Sequence, residues 1–462
     1  MRSFRQTLVF SSIVICVFIS LSTPPLQCAE AGDLKVGAAK VDITPKDLTG
    51  LVSAWGTPFI GVHDPIYARA LVLDNGVNTV AIVATDLVEF GDTMSLRQRI
   101  QKELGIPVEH IIITATHDHN APRGGPITLG TSSEQGRPSS TPAYTQFVDD
   151  CIAEAVRQAK ASMQPARVGV GTGRADINVE RNGYNTTNGG WNSADPDGPS
   201  DKTVWVVKFE SLSGEPIGLL MNYAVHSAIA GSGSSRPLEV AGDLSGATER
   251  FVEQHYGTKV VALWTMGAAG DQNPKFGVSL NGKDPEKNKA LAYEAIDALG
   301  LNLGVEVIET ANRIETMTST ARIEAAESVF SCATAPARPR PAGGGLNTLP
   351  PNPNSRPTGP APPPPPLPPP PSMKFHLNLI LINQIAITGV SAEIFTKIYL
   401  HLKKDSPLTN TIMATMSNDR IGYIADDAAY DGPYSNPVVV RGCAEKGIVN
   451  GLVDMMNKHL FQ

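Results

Sequence analysis

The run Ile111-Ile-Ile-Thr-Ala-Thr-His117-Asp-His119-Asn-Ala-Pro122 carries two imidazoles two residues apart, at the end of an apolar segment. In a strand, residues i and i+2 point to one face. His117 and His119 are therefore expected to project together from a strand end, as two ligands of one metal ion would. Other polar residues also follow apolar runs. Asp86 follows 80–85, His226 follows 219–225, and Glu393 follows 385–392. Asp243 closes Val-Ala-Gly-Asp, and Asp271 ends a Gly-rich stretch. Sites in open α/β sheets form at the carboxyl ends of strands, so these side chains are candidates to converge. Zinc accepts imidazole nitrogen and carboxylate oxygen, and a catalytic zinc keeps a position for water that can attack a carbonyl. Two or three of the histidines with one carboxylate would suffice. Each residue alone also has a plainer reading. His226 suits a hydrogen-bonded core histidine, Asp243 a cap for a helix starting near Leu244, and Asp271 a turn. Tyr423 and Tyr430 suit packed loop aromatics.

The elements that must position these groups are legible as periodicity. Runs rich in Val and Ile at 79–85, 110–116, 203–209, 217–225, 259–266 and 375–390 read as strands. Helical patterns lie at 93–104, stopped by Gly105, and at 144–163, with Phe147, Cys151 and Ala155 on one face. Others lie at 245–256, 285–299 and 441–460. Alternating strands and helices argue for an α/β class. No internal repeat is evident. From 336 to 372 nearly half the residues are proline, a composition for extended polyproline II. The strand-like residues from 373 onward return to a core. The tract therefore reads as an insertion within one domain, a surface linker rather than a docking ligand for a Pro-binding module.

The 462 residues are 41% hydrophobic and 18% charged, a globular balance, and the formal charge of −7 argues against nucleic acid or an anionic membrane surface as partner. Arg2 and Arg5, an apolar stretch at 8–21, Pro24-Pro25 and Ala29-Glu30-Ala31 together read as a cleaved secretory signal over 1–31. The stretch is short for a membrane span. The mature chain is thus expected to be secreted or periplasmic, with no transmembrane span. Cys28 would permit lipidation, but Gln27 is bulky where a small residue is needed. Cys151, Cys332 and Cys443 allow at most one disulfide, with the pairing left open. No CxxC spacing suggests a cysteine zinc site.

The ordered series of segments resembles the neutral/alkaline non-lysosomal ceramidase family, in its N-terminal catalytic domain. It begins at Lys35-Val-Gly-Ala-Ala-Lys-Val-Asp-Ile-Thr-Pro45 and Gly61-Val-His-Asp-Pro-Ile-Tyr-Ala-Arg-Ala70. It continues through Thr116-His-Asp-His, Asn222-Tyr-Ala-Val-His226, Ala241-Gly-Asp243, Gly270-Asp271, Ala392-Glu-Ile-Phe395 and Gly422-Tyr423. The resemblance implies mixed sheets with helices packed on them and a zinc site at strand ends. It also implies one catalytic domain over 32–462, interrupted at 336–372; the larger members' C-terminal immunoglobulin-like domain is not expected here, because the sequence runs only one helix past the tyrosine loop. It places the zinc on His117, His226, Glu393 and Tyr423. His119, Asp271 and Asn273 join the catalytic set, and Arg181 and Tyr430 the substrate pocket. In Gly270-Asp271-Gln272-Asn273-Pro274, Asn273 stands where the family has a serine. An amide can donate a hydrogen bond to an oxyanion but cannot serve as a nucleophile. The expected activity is zinc-dependent hydrolysis of a small-molecule or lipid amide, N-acyl sphingosine being one. The alternatives are hydrolysis of an ester or a sugar- or peptide-linked amide, or a catalytically silent secreted binding protein whose metal is structural.

Overall fold

The computed structural model describes residues 31–125, 140–185, 190–231, 238–257, 259–281, 283–335, 372–430 and 438–460. The expected signal segment lies outside them but for Ala31, and the Pro-rich tract but for Ser372.

Two sheets organise the chain. The larger contains β1 (Lys35–Asp42), β2 (Tyr67–Asp74), β3 (Thr79–Thr85), β4 (Ile111–Ala115), β5 (Gln164–Arg174), β6 (Thr203–Ser211), β7 (Pro216–Tyr223) and β8 (Val261–Met266). Its order is β8-β7-β6-β5-β1-β2-β3-β4. The β3–β4 and β7–β8 pairs are parallel, and the pairs between them antiparallel. The sheet is rolled, because β8 at one end of the order touches β3 and β4 at the other. The smaller sheet runs β9 (Ile323–Ala333), β10 (Ser372–Ile382), β11 (Ile385–Val390) and β12 (Asn410–Thr415) in that order. The expected strand at 375–390 is a hairpin, turned at Asn383 with φ 55°.

Alternation builds the layers. Along β3, Val80, Ile82 and Ala84 enter a core shared with Ile380, Ile382, Ile387 and Ile412 of the smaller sheet. Ala81 and Val83 point the other way, toward α1 (Met94–Leu104) and α2 (Pro142–Ala161). Helices α3 (Asp243–Tyr256) and α4 (Pro285–Asn312) cover β6 to β8. Helices α5 (Thr396–Asp405) and α6 (Ala444–Leu460) cover the outer face of the smaller sheet. The result is four layers, helix–sheet–sheet–helix, and strands such as β3, β4, β8 and β11 are buried on two faces.

Two helix boundaries need correction, and one helix was not expected. Helix α4 does not stop at Leu299 but runs to Asn312. A Cβ at Gly300 would lie 2.5 Å from Ala247 Cβ, and one at Gly304 2.5 Å from Phe251 Cδ1. These glycines let α3 approach, at a helix-propensity cost of about 1 kcal/mol each. Helix α5, unread in the sequence, begins where Asp271 Oδ1 accepts from Thr396 N at 2.9 Å and Thr396 Oγ1 at 2.8 Å. The last helix starts at Ala444, after a disulfide between Cys332 and Cys443 that leaves Cys151 as a buried free thiol.

Candidate metal centre

The His-x-His motif does not present its rings by strand alternation. Strand β4 ends at Ala115, and His117 takes a left-handed backbone with φ 60°. The chain turns there because Asp118 N donates to Leu87 O and His119 N to Ser227 O. The loops after β4 and β7 thereby become neighbours, and the two rings converge from a turn: His119 Nε2 lies 3.0 Å from His117 Nε2. His226, three residues past β7, packs its ring 4.5 Å from that of His117.

Backbone carbonyls orient both key rings. His117 Nδ1 donates to Val88 O at 2.6 Å and His226 Nδ1 to Gln272 O at 2.9 Å. With the proton on Nδ1, each Nε2 turns a lone pair into the site. Glu393 enters from the opposite sheet. It lies in a two-residue strand, Glu393–Ile394, paired in parallel with Tyr423–Ile424. Its Oε2 sits 3.2 Å from His117 Nε2 and 3.5 Å from His226 Nε2. The Tyr423 hydroxyl is 3.3 Å from His226 Nε2.

The donor set fits a metal. Glu393 Oε2 is fully buried and has no hydrogen bond. Facing imidazole lone pairs and a bare carboxylate oxygen are groups that a cation between them would satisfy. Four ligands about 2.0–2.1 Å from a tetrahedral ion are separated by roughly 3.3 Å, which matches these contacts. Protonation agrees as well. Burial, then Arg181 and His117, push His226 down to about 3, and burial with its histidine neighbours holds His119 well below its usual range. Burial opposes ionisation of Glu393, but His117 and Arg420 outweigh it and hold the carboxyl well below the ordinary carboxylate range. Neutral imidazoles at His119 and His226 beside an ionised carboxylate suit a metal. His119 belongs to the same nitrogen group, within 4.8 Å of the other two. Its ring stands edge-on to Trp55 at 5.1 Å, and its Nδ1 has no partner.

The remaining candidates divide. Arg181, in the strand Asn178–Asn185, donates from Nη1 to Asn273 Oδ1 at 3.2 Å and from Nη2 to Gly270 O at 2.7 Å. Its guanidinium lies over the Tyr423 ring. Arg181 and Asn273 line a cavity of about 360 Å³ with Val179, Ala194, Ala228, Pro274 and Gly277. Tyr430 lies instead on a separate, water-sized cavity of about 10 Å³ beside Tyr423 and Val440. Asp271 faces Thr396, as described. Asp86 is turned away, onto Arg69 at 2.7 Å and Tyr67 N at 2.8 Å. Asp243 Oδ1 accepts from Leu244 N at 2.7 Å, and its carboxylate also takes Ile229 N and Ala230 N, fixing the loop after His226.

Sequence reasoning did not find Glu89, Arg123 and Arg420, buried charges in a row of ion pairs that ends on Glu393. The available signal was charge inside otherwise apolar loops: Glu89 within Val88-Glu-Phe90, and Arg420 three residues before Tyr423. Asn418 was also missed. It has φ 61° and docks this loop on the outer edge of β4: Ile113 N donates to its Oδ1 at 2.8 Å, and its Nδ2 to Ile111 O at 2.9 Å.

Fold and site together define a class: a layered mixed-sheet protein with histidines and a carboxylate gathered at its strand ends. The chain belongs to the neutral/alkaline non-lysosomal ceramidase family, whose N-terminal family model matches residues 34–291. Among curated relatives, neutral ceramidase B of Dictyostelium discoideum is 25% identical over 309 residues, 62% of this chain and 42% of that protein. Neutral ceramidase A of the same organism is 25% identical over 248 residues, 50% of this chain and 33% of that protein. The chain thus spans less than half the length of these relatives. A solved structure described as ceramidase complexed with C2 superposes with a TM-score of 0.71 at 17% identity, over 92% of this chain and 75% of that one. The neutral ceramidase of Pseudomonas aeruginosa gives 0.68 at 16%, over 92% and 74%. At such identities the superpositions establish the shared fold.

Proposed function

We propose that the protein is a secreted zinc-dependent amidohydrolase, acting on an N-acyl amide such as N-acyl sphingosine. The observation that carries this reading is the bare, buried Glu393 Oε2 facing His117 and His226 Nε2 at 3.2 and 3.5 Å. His117, His226, Glu393 and Tyr423 would hold the ion, and zinc would supply Lewis acidity toward a carbonyl there. The protein's own groups do the rest. Arg181 occupies Asn273 Oδ1, which leaves the amide N–H donors to meet a developing oxyanion in the cavity. His119, neutral and unpartnered at Nδ1, suits proton transfer from water to the leaving amine. Trp55 packs edge-on against that ring. The Cys332–Cys443 bond supports an oxidising compartment, in keeping with the signal-like N-terminus.

A second reading is favoured by the cavity itself. Among the described residues its lining is small and partly polar, with a buried guanidinium, and about 360 Å³ admits an amide with short substituents. Hydrolysis of a smaller or anionic amide or ester fits that shape.

The test is metal analysis of the pure protein, followed by turnover of a fluorogenic N-acyl sphingosine and of a short-chain amide and ester panel. About one zinc per chain and chelator-sensitive turnover, lost in His117→Ala, are expected. Turnover confined to the short panel selects the second reading. Zinc without turnover on any substrate refutes hydrolysis, and a chain that takes up no zinc refutes the metal centre.

A further inference from the structure

Four buried charges run in a line behind the candidate metal centre. Arg123 Nε pairs with Glu89 Oε1 at 2.6 Å, Glu89 Oε2 with Arg420 Nε at 2.9 Å, and Arg420 Nη2 with Glu393 Oε1 at 2.8 Å. All four side chains are at most 6% exposed. Two positive and two negative groups alternate, so the row is neutral as a whole, the condition under which buried charges are tolerated.

We infer that Arg420 is a positioning residue: pinned by Glu89 and Arg123, it sets the orientation of Glu393. The inference rests on the metal reading above and adds the source of the site's geometry. Arg420 grips one oxygen of Glu393, and the other is thereby turned to His117 and His226. The grip is rigid because the guanidinium is held from behind. Glu89 belongs to the loop after β3, and Arg123 to the loop after the histidines. Gly124 N donates to Glu89 O at 2.9 Å, and Val88 N to Pro122 O at 3.1 Å, so these loops are tied to each other through their backbones. Val88 O also orients His117, which makes the same short segment the support for two of the four candidate ligands. Asn418 fixes the Arg420 loop to β4. A planar guanidinium can reach Glu89 through Nε and Glu393 through Nη2 at once; an ammonium on a flexible stem offers one point charge and no fork.

This separates geometry from charge. Arg420→Lys keeps the positive charge and removes the fork. Glu89→Gln keeps Arg420 and its contact with Glu393 but releases the pin. Both chains, stripped of metal, are titrated with zinc against a chromogenic chelator, and the visible spectrum of the cobalt-loaded form is recorded. Both variants are expected to bind zinc about 10- to 100-fold more weakly than wild type, the range for lost outer contacts to a ligand. Both should show an altered cobalt band. A merely structural role would lower thermal stability and leave affinity and spectrum unchanged, and that result in the folded variants overturns the inference. If Arg420→Lys does not fold, Glu89→Gln decides alone. A wild-type chain that takes up no zinc overturns the metal reading and this inference with it. A zinc-binding wild type beside unaltered variants overturns this inference alone.

Discussion

Replacing Cys443 by alanine is expected to lower the melting temperature by about 6 °C. The disulfide joins residues 111 apart in sequence. Closing a loop of that length removes about 16 cal/mol/K from the unfolded chain, or about 5 kcal/mol at 25 °C. Unfolding entropy near 2.1 cal/mol/K per residue gives about 0.8 kcal/mol/K for the roughly 360 described residues, hence a shift of about 6 °C. Cys443 is the better end to change, because Cys332 is 1% exposed and its loss would add a packing defect. Around the bond, Val440 N donates to Ala333 O at 2.9 Å and Ala335 N to Val438 O at 3.1 Å, contacts the variant keeps. Calorimetry of both proteins with and without reductant is the assay. Wild type should fall on reduction to the level of the variant, which should not respond to reductant. Equal melting temperatures, in a wild type shown by thiol titration to gain two thiols on reduction, would refute the reasoning.

Three further outcomes test the architecture. Gly37→Ala should lower stability by about 1–3 kcal/mol, read as a shift in denaturant midpoint, because its Cβ would lie 1.9 Å from Ala159 O, and backbone cannot step aside. Asn418→Ala should destabilise by about 1–3 kcal/mol for each of the two β4 backbone groups left unpaired, and should raise amide exchange at Ile113. Glu327 gives a pH signature. Burial raises its pKa, but hydrogen bonds from His376 and Arg97 prevail and hold it at about 2, below its ordinary 4.5. A depressed carboxyl adds stability above pH 4.5 and loses it as pH falls toward 2. Glu327→Gln should therefore be less stable than wild type at neutral pH, and the gap should close between pH 4.5 and 2 in acid-denaturation curves.

How much of this was legible depended on whether the signal was local. The strand at 79–85 matches β3 because seven residues buried on two faces leave a continuous apolar run. Gly105 ends α1 in the left-handed conformation that glycine permits, φ 71°. The full length of α4 could not be read, since the demand for missing side chains at Gly300 and Gly304 comes from α3, far away in sequence. The resemblance pointed to His117, His226, Glu393 and Tyr423, and the structure brings all four to one point. The turn at His117 could not be read: its cause is the backbone of Leu87 and Ser227. The charges behind Glu393 were invisible for the same reason, because an arginine reads as surface until its partners in other loops are known.

The placement of the four convergent side chains also orders their assembly in time. The larger sheet is complete in sequence at Met266, so both histidine loops can be built from the first part of the chain. Glu393 and Tyr423 arrive later, carried by the smaller sheet and the loop docked on β4. No nascent fragment that lacks residue 423 can contain the full donor set. Metal uptake would then follow the docking of one sheet on the other, and an ion held there would act as a clasp that reports a finished fold.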